Sequence, residues 1–214
     1  MNFVFNQMAA YNDTPYASLM VQSILKEMPD SRIMQISDRD AKRIPGVLGL
    51  VRGNFVYNDD VYARAFFDRL LMVHADDHLV YCDADMIFSG DISEVLEGDF
   101  DIALCRRPQN DGTSISYRVI HPYNIGLMVF KNREFLEVCQ SVMHTFFMGS
   151  EFGIAQHVVG LAVNSGEFKV KFLDSETYNH TPKDVHEFDP NVKVWHFKGE
   201  RKAWMQEWQQ AHIV

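Results

Sequence analysis

The segment HLVYCDADMIFSG, residues 78–90, ends an apolar run in Asp83 and Asp85, with only Ala84 between them. Side chains at i and i+2 of a strand face the same side, so the two carboxylates can converge on one point at the strand end. Like charges so placed repel. A hard divalent cation, Mn2+ or Mg2+, neutralises them through oxygen ligands and keeps positions open for substrate phosphates. Two aspartates can also do no more than solvate a turn. The apolar LVYC before them argues against that, because the C-terminal edge of a central strand is poorly placed for solvation alone.

Several metal-dependent classes share an apolar strand that ends in aspartate. A Walker-type nucleotide triphosphatase also needs GxxxxGK[ST], which the chain lacks. Phosphatases of the haloacid-dehalogenase type carry DxD on the first strand, followed by Thr or Val. Here the pair lies past residue 80 and is followed by Met86 and Ile87. Glycosyltransferases of the GT-A fold, in which DxD holds the metal on a nucleotide-sugar diphosphate, remain.

The other end of the chain bears on that class. HFKGERKAW, residues 196–204, resembles the HxxGxxKPW signature of family 8 glycosyltransferases, which retain anomeric configuration; His196, Gly199, Lys202 and Trp204 match, and Ala203 replaces the proline. The resemblance implies that His196 is the third protein ligand of the metal, beside Asp83 and Asp85. It implies that Lys202 reaches the donor diphosphate, that Gly199 lets the backbone approach it, and that Ala84 belongs to the same donor site. These roles make physical sense: neutral imidazole ligates such metals, and lysine offers phosphate a point charge.

YNDTPYASLM resembles the family's opening, so Asp13 and Tyr16 are expected at the uracil and ribose of a UDP-sugar, with Pro15 where the family often has Asn. VYARAFF resembles the helix whose arginine meets the donor; this gives Arg64, with Arg69 as a rival. YNIGLMVFKN resembles the strand that closes the sugar pocket, giving Asn124 and Gly126. GIAQHVVGLAVN takes the place of a DQ-containing helix: Gln156 matches and Ala155 replaces the aspartate. Gln156 and Asp101 are candidates for lining the sugar site. No carboxylate stands out as a nucleophile, and no general base is assigned. Arg106 and Arg107 read as a solvated edge, or else as the border of an acceptor cleft.

The elements that must position these residues read as an α/β chain. NFVFNQM is a strand. TPYASLMVQSILKEMPD is a helix, with Thr14 as its cap and Pro15 at its first position. SRIMQIS is a second strand, and this opening points to a mostly parallel sheet with ligands beyond the carboxyl ends of its strands. Residues 39–58 show no clean period and read as a long connection. DDVYARAFFDRLLMVHA is a helix with Val61, Ala65, Phe66, Leu70 and Met72 toward the core, and HLVYCDADMIF is a central strand. DISEVLE is a short helix whose Asp91 and Glu94 form a capping box. FDIALCRR is a strand, QNDGTSISYRV a loop or hairpin, and NIGLMVFKN a strand. Two amphipathic helices, the strand FKVKFLDS and a tail of strand, glycine turn and helix complete the chain. The expectation is one GT-A domain, 1–214, Rossmann-like, with a mixed, mostly parallel sheet flanked by helices.

With 214 residues and 47% hydrophobic content, such a domain buries roughly 70% of its unfolded surface and needs no staples. Three widely spaced cysteines suggest neither a zinc site nor a disulfide framework, which fits a reduced, cytoplasmic setting. No run is apolar enough for a membrane span. A formal charge of −9 disfavours affinity for a long polyanion but leaves room for one bound diphosphate. The leading expectation is a metal-dependent hexosyl- or pentosyltransferase using a UDP-sugar donor. Its acceptor is open among a glycan, a protein and a modified nucleobase, and a homo-oligomer is admitted. Two alternatives stand: a Mg2+-dependent phosphatase on the same DxD, and a non-catalytic nucleotide-sugar-binding module, for which Ala155 and Ala203 speak.

Overall fold

The computed structural model describes residues 1–53, 59–73, 78–108, 114–146 and 153–212. The chain opens with β1 (Asn2–Asn6), α1 (Tyr16–Glu27) and β2 (Arg32–Asp38), followed by β3 (Gly49–Gly53) and α2 (Asp59–Val73). Next come β4 (Leu79–Cys82), β5 (Met86–Phe88), β6 (Ile102–Arg106), α3 (Ile115–Ile120) and β7 (Tyr123–Phe130). The last part runs α4 (Arg133–Phe146), α5 (Ile154–Asn164), β8 (Val170–Leu173), α6 (Ser175–Tyr178), β9 (Val194–His196) and α7 (Met205–His212). Among the described residues, seven strands form one sheet in the order β3-β2-β1-β4-β7-β6-β8, in which β7 alone runs against its neighbours. β5 and β9 pair antiparallel as a small second sheet.

Alternation along β1 explains the layering. Phe3 and Phe5 point to one face, where they meet Met20, Val21 and Ile24 of α1 and Met86 and Phe88 of β5. Val4 points to the other, against Phe66, Phe67 and Leu70 of α2 and the apolar sides of α4 and α5. A sheet covered on both faces needs continuously apolar strands, and all eight residues of β7 are buried. A third cluster, Ile87, Val192, Trp195, Phe197, Met205 and Trp208, anchors the tail. Each such fully buried large side chain contributes about 1.5–3 kcal/mol relative to exposure. Cys82, Cys105 and Cys139 are buried and form no disulfide.

Several local expectations change. The connection after β2 contains a strand, β3, which pairs parallel to Met34–Asp38 as the sheet edge. The reading of HLVYCDADMIF as one strand fails, because the chain turns at Ala84–Asp85 and leaves the main sheet. Ser114 caps α3 by accepting from Tyr117 N–H, so a helix replaces the expected loop or hairpin over 115–120; residues 109–113 lie outside the described residues. Thr14 does not cap α1: its hydroxyl donates to Tyr11 O at 2.9 Å, and Pro15 occupies the cap position. Met72 is 66% exposed, since it lies two residues, about 200°, beyond buried Leu70 on the helix. Glu94 sits in a 3-10 turn and, instead of returning to Asp91, accepts from Tyr178 and pairs with Lys193. Among the described residues, no helix is long and apolar enough to cross a membrane.

Candidate active site

The last rung of β4 against β7 is Asp83 N–H donating to Gly126 O at 2.8 Å. The chain then turns through Ala84 and Asp85 into β5, where Met86 faces His196 in register. Phe197 N–H donates to Asp85 O at 2.9 Å and ties the turn to the end of β9. The convergence of Asp83 and Asp85 therefore comes from a turn between two sheets rather than from the pleat of one strand. The second sheet is also what delivers His196, from over a hundred residues away.

His196 Nε2 stands 3.2 Å from Asp85 Oδ1 and 3.6 Å from Asp83 Oδ2. One ligand atom from each of the three lies within 4.8 Å of the others, and this is the one such group of three found among the described residues. On its far side His196 Nδ1 meets Asn179 Oδ1 at 2.7 Å, with both residues buried. Tyr81, two residues before Asp83 on the same face, donates its hydroxyl to Asp83 Oδ1 at 2.7 Å. Lys202 Nζ lies 3.0 Å from Asp85 Oδ2.

Burial, with the like charge of Asp85 behind it, raises the pKa of Asp83 above the ordinary carboxylate value. For Asp85 burial pushes upward too, but His196 and Lys202 outweigh it and hold the carboxyl well below that range. Burial opposes the charge on Lys202, and Asp85 more than restores it, so the ammonium persists above its usual pKa. The site thus sets two carboxyl groups of opposite pKa shift beside the Lys202 ammonium.

This donor set fits a divalent metal that accepts mixed oxygen and imidazole ligands. Two carboxylates and one imidazole supply three ligands, and the Asp83 side chain, 35% exposed, leaves the group open on one side. A metal on Nε2 requires the proton on Nδ1, and Asn179 Oδ1 is the acceptor in place for it.

The other expected residues take varied positions. Gly199 has φ +62, and nothing among the described residues lies within 4 Å of where its Cβ would stand; its backbone conformation, not a tight contact, calls for glycine. It opens the turn Gly199–Trp204 that carries Lys202. A Cβ on Gly126 would lie 2.5 Å from His196 Cε1, so this glycine makes room for the imidazole. Asn124 is buried and accepts Gly126 N–H at 2.9 Å, beside the irregularity of β6 at Leu104/Cys105.

Asp13 is exposed and pairs with Lys42 at 2.9 Å. Tyr16 packs against the tail cluster of Trp195 and Trp208, whereas Tyr11, in the turn before α1, is exposed. Arg69 is fully buried in α2, its Nε donating to Ala65 O; the side chain of Arg64 lies outside the described residues. Gln156 lies in the first turn of α5 and accepts from Arg107 at 2.8 Å, so Arg107 is no solvated edge.

Asp101 is misplaced for a sugar site. It precedes β6 at the opposite edge of the sheet from Asp83, where its carboxylate accepts from Asn132 and from Lys169 N–H. In the sequence Tyr81 and Asn179 are not singled out, and Arg107 reads only as a solvated edge or the border of an acceptor cleft. The i, i+2 spacing of Tyr81 and Asp83 was a usable signal, and nothing local distinguishes the other two.

The fold is that of GT-A glycosyltransferases: a mostly parallel seven-stranded sheet flanked by helices, with the aspartate pair at the end of its fourth strand. No protein-family model and no curated protein matches the sequence. Among solved structures, the chain is similar to the galactosyltransferase LgtC in complex with donor and acceptor sugar analogs, with TM-score 0.65 and 13% identity over 100% of this chain and 97% of that one. A second LgtC structure, an active-site glutamine-to-glutamate mutant, gives 0.64 at 13% identity over the same shares. The apo glycosyltransferase GlyE of Streptococcus pneumoniae TIGR4 gives 0.65 at 13% identity, over all of this chain and 60% of GlyE.

Proposed function

We propose that the protein is a metal-dependent glycosyltransferase that moves a sugar from a UDP-sugar to an acceptor with retention of configuration. The observation that carries this reading is the convergence of Asp83, Asp85 and His196, with Lys202 beside them, at the strand ends of a GT-A fold. Asp83, Asp85 and His196 would hold Mn2+ or Mg2+, which when bound neutralises the leaving diphosphate. Lys202 exchanges Asp85 for a phosphate oxygen of the donor and stabilises the charge that develops as the glycosidic bond breaks. Gly199 sets the turn that presents Lys202. Tyr11, Asp13 and Tyr16 come from the segment that follows β1, where the family resemblance puts the base and ribose; exposed Tyr11 is the better candidate for stacking.

The phosphatase alternative loses support, because the pair lies on the fourth strand of a GT-A sheet. The test is UDP-sugar hydrolysis with and without Mn2+. Turnover that requires the metal and is lost in Asp85→Ala is expected; metal-dependent turnover of wild-type magnitude in that variant rules the assignment out. A thermal-shift panel of nucleotide sugars with Mn2+ then identifies base and sugar together.

A further inference from the structure

Gln156 offers its side-chain oxygen to two donors. Arg107 Nη2 donates to Oε1 at 2.8 Å, and the Tyr117 hydroxyl at 3.4 Å. A guanidinium has donors and no acceptor, so the amide atom that meets it has to be the oxygen. This settles an orientation that is otherwise a matter of assignment. Arg107 is itself fixed from several sides. Its Nε donates to His121 O at 3.1 Å, its backbone N–H donates to Pro122 O at 2.8 Å, and its guanidinium lies 5.0 Å from the Tyr117 ring centre. The Tyr117 and His121 rings pack 4.5 Å apart and fill the space where a Cβ on Gly153 would stand. With Oε1 turned toward Arg107 and Tyr117, the group that Gln156 turns away from them, and can offer a ligand, is its Nε2 amine, a donor.

We propose that Arg107, assisted by Tyr117, is a positioning residue for the transfer: it turns Gln156 so that Nε2–H donates to oxygens of the transferred sugar. Gln156 then supplies neither a nucleophile nor an acceptor. This rests on the reading of the site as a UDP-sugar site. Arg107 directly follows β6 at the same edge of the sheet as Asp83, and the glutamine altered in the active-site mutant of LgtC shows that an amide of this type is placed in the active site of a protein with this fold.

The test measures UDP affinity with Mn2+ by calorimetry, and kcat/KM for hydrolysis of UDP-glucose or UDP-galactose, whichever wild type turns over. Arg107→Met is expected to lower kcat/KM about tenfold, the effect of losing one well-aligned hydrogen bond, with UDP affinity within about twofold of wild type. Arg107→Lys keeps a donor toward Oε1 and recovers part of the loss. Gln156→Glu keeps the Arg107 pair but has no N–H, so it falls as far as Gln156→Leu. Should Arg107→Met fail to fold, the comparison of Gln156→Glu with Gln156→Leu carries the test. Gln156→Glu activity at or above wild type overturns the proposal, as does undiminished turnover in Arg107→Met. A wild type that binds no UDP and hydrolyses neither sugar nucleotide refutes the donor-site reading itself, and the role of Arg107 falls with it.

Discussion

The imidazole of His196 lies against the hydrogen face of Gly126, so close that a β-carbon there would stand 2.5 Å from Cε1 and 2.9 Å from Nδ1. Gly126 is held in place on both sides, its N–H bonded to Asn124 and its carbonyl taking the Asp83 N–H. Gly126→Ala therefore has to move the ring and not the strand. The metal affinity of this variant is expected to drop about 10–100-fold with the fold retained, the range seen when a ligand's support is disturbed. Mn2+ titration followed by electron paramagnetic resonance, beside a thermal melt, checks both halves.

Asn179 bears on His196 from the opposite side. Its Oδ1 is the acceptor for a proton on Nδ1, which allows Nε2, on the side of the carboxylates, to give its lone pair to a metal ion. Asn179→Ala removes that acceptor and is expected to weaken Mn2+ binding by about tenfold or more. Asn179→Asp restores an acceptor and makes the imidazole more basic, so it should recover the affinity. Equal loss in both variants would show that Asn179 acts through packing instead.

Lys202 gives a prediction with two signs. It pairs with Asp85 at 3.0 Å, so without a nucleotide it competes with a metal for that carboxylate. Lys202→Ala is expected to bind Mn2+ alone more tightly than wild type. The same variant should bind UDP with Mn2+ roughly tenfold to a hundredfold more weakly, having lost a charged hydrogen-bond partner for the diphosphate. Two titrations, with and without UDP, read the two signs; unchanged UDP affinity would refute the role given to this lysine.

These residues also mark how far the sequence was legible. Asp83 and Asp85 stand out by type and spacing, His196 only through the resemblance of HFKGERKAW to a family signature, and most strands and helices follow from apolar period and caps. How the triad meets did not follow. Met86–Phe88 reads as a continuation of LVYC, and only its pairing with Val194–His196 shows that it leaves the main sheet. β3 escaped for a related reason: GLVRG is an edge strand, and its partner β2 defines it more than its own pattern does. Asn179, in ETYNHTP, and Arg107 act through single hydrogen bonds to residues far along the chain, which no local periodicity encodes. Asp101 went wrong because a carboxylate before a strand and one after it look alike until strand direction is fixed.

Glu94 joins the two segments that present Asn179 and His196. Its Oε1 accepts from the Tyr178 hydroxyl at 2.7 Å and meets Lys193, the residues just before Asn179 and β9. Partial burial pushes the pKa of Glu94 up, but the bonds from Lys193 and Tyr178 outweigh it and hold the carboxyl below its ordinary value. A folded pKa below the unfolded one means stabilisation that is present above the unfolded value and lost as pH falls through the folded one. Because Glu94 is about one-third exposed, the contribution is about 1 kcal/mol or less. Glu94→Gln should therefore lower the unfolding free energy by that amount at pH 7, and the difference should hold down to about pH 5 and close under stronger acid. Denaturant melts of both proteins across pH 3–7 measure this, and a gap that widens toward acid would contradict it.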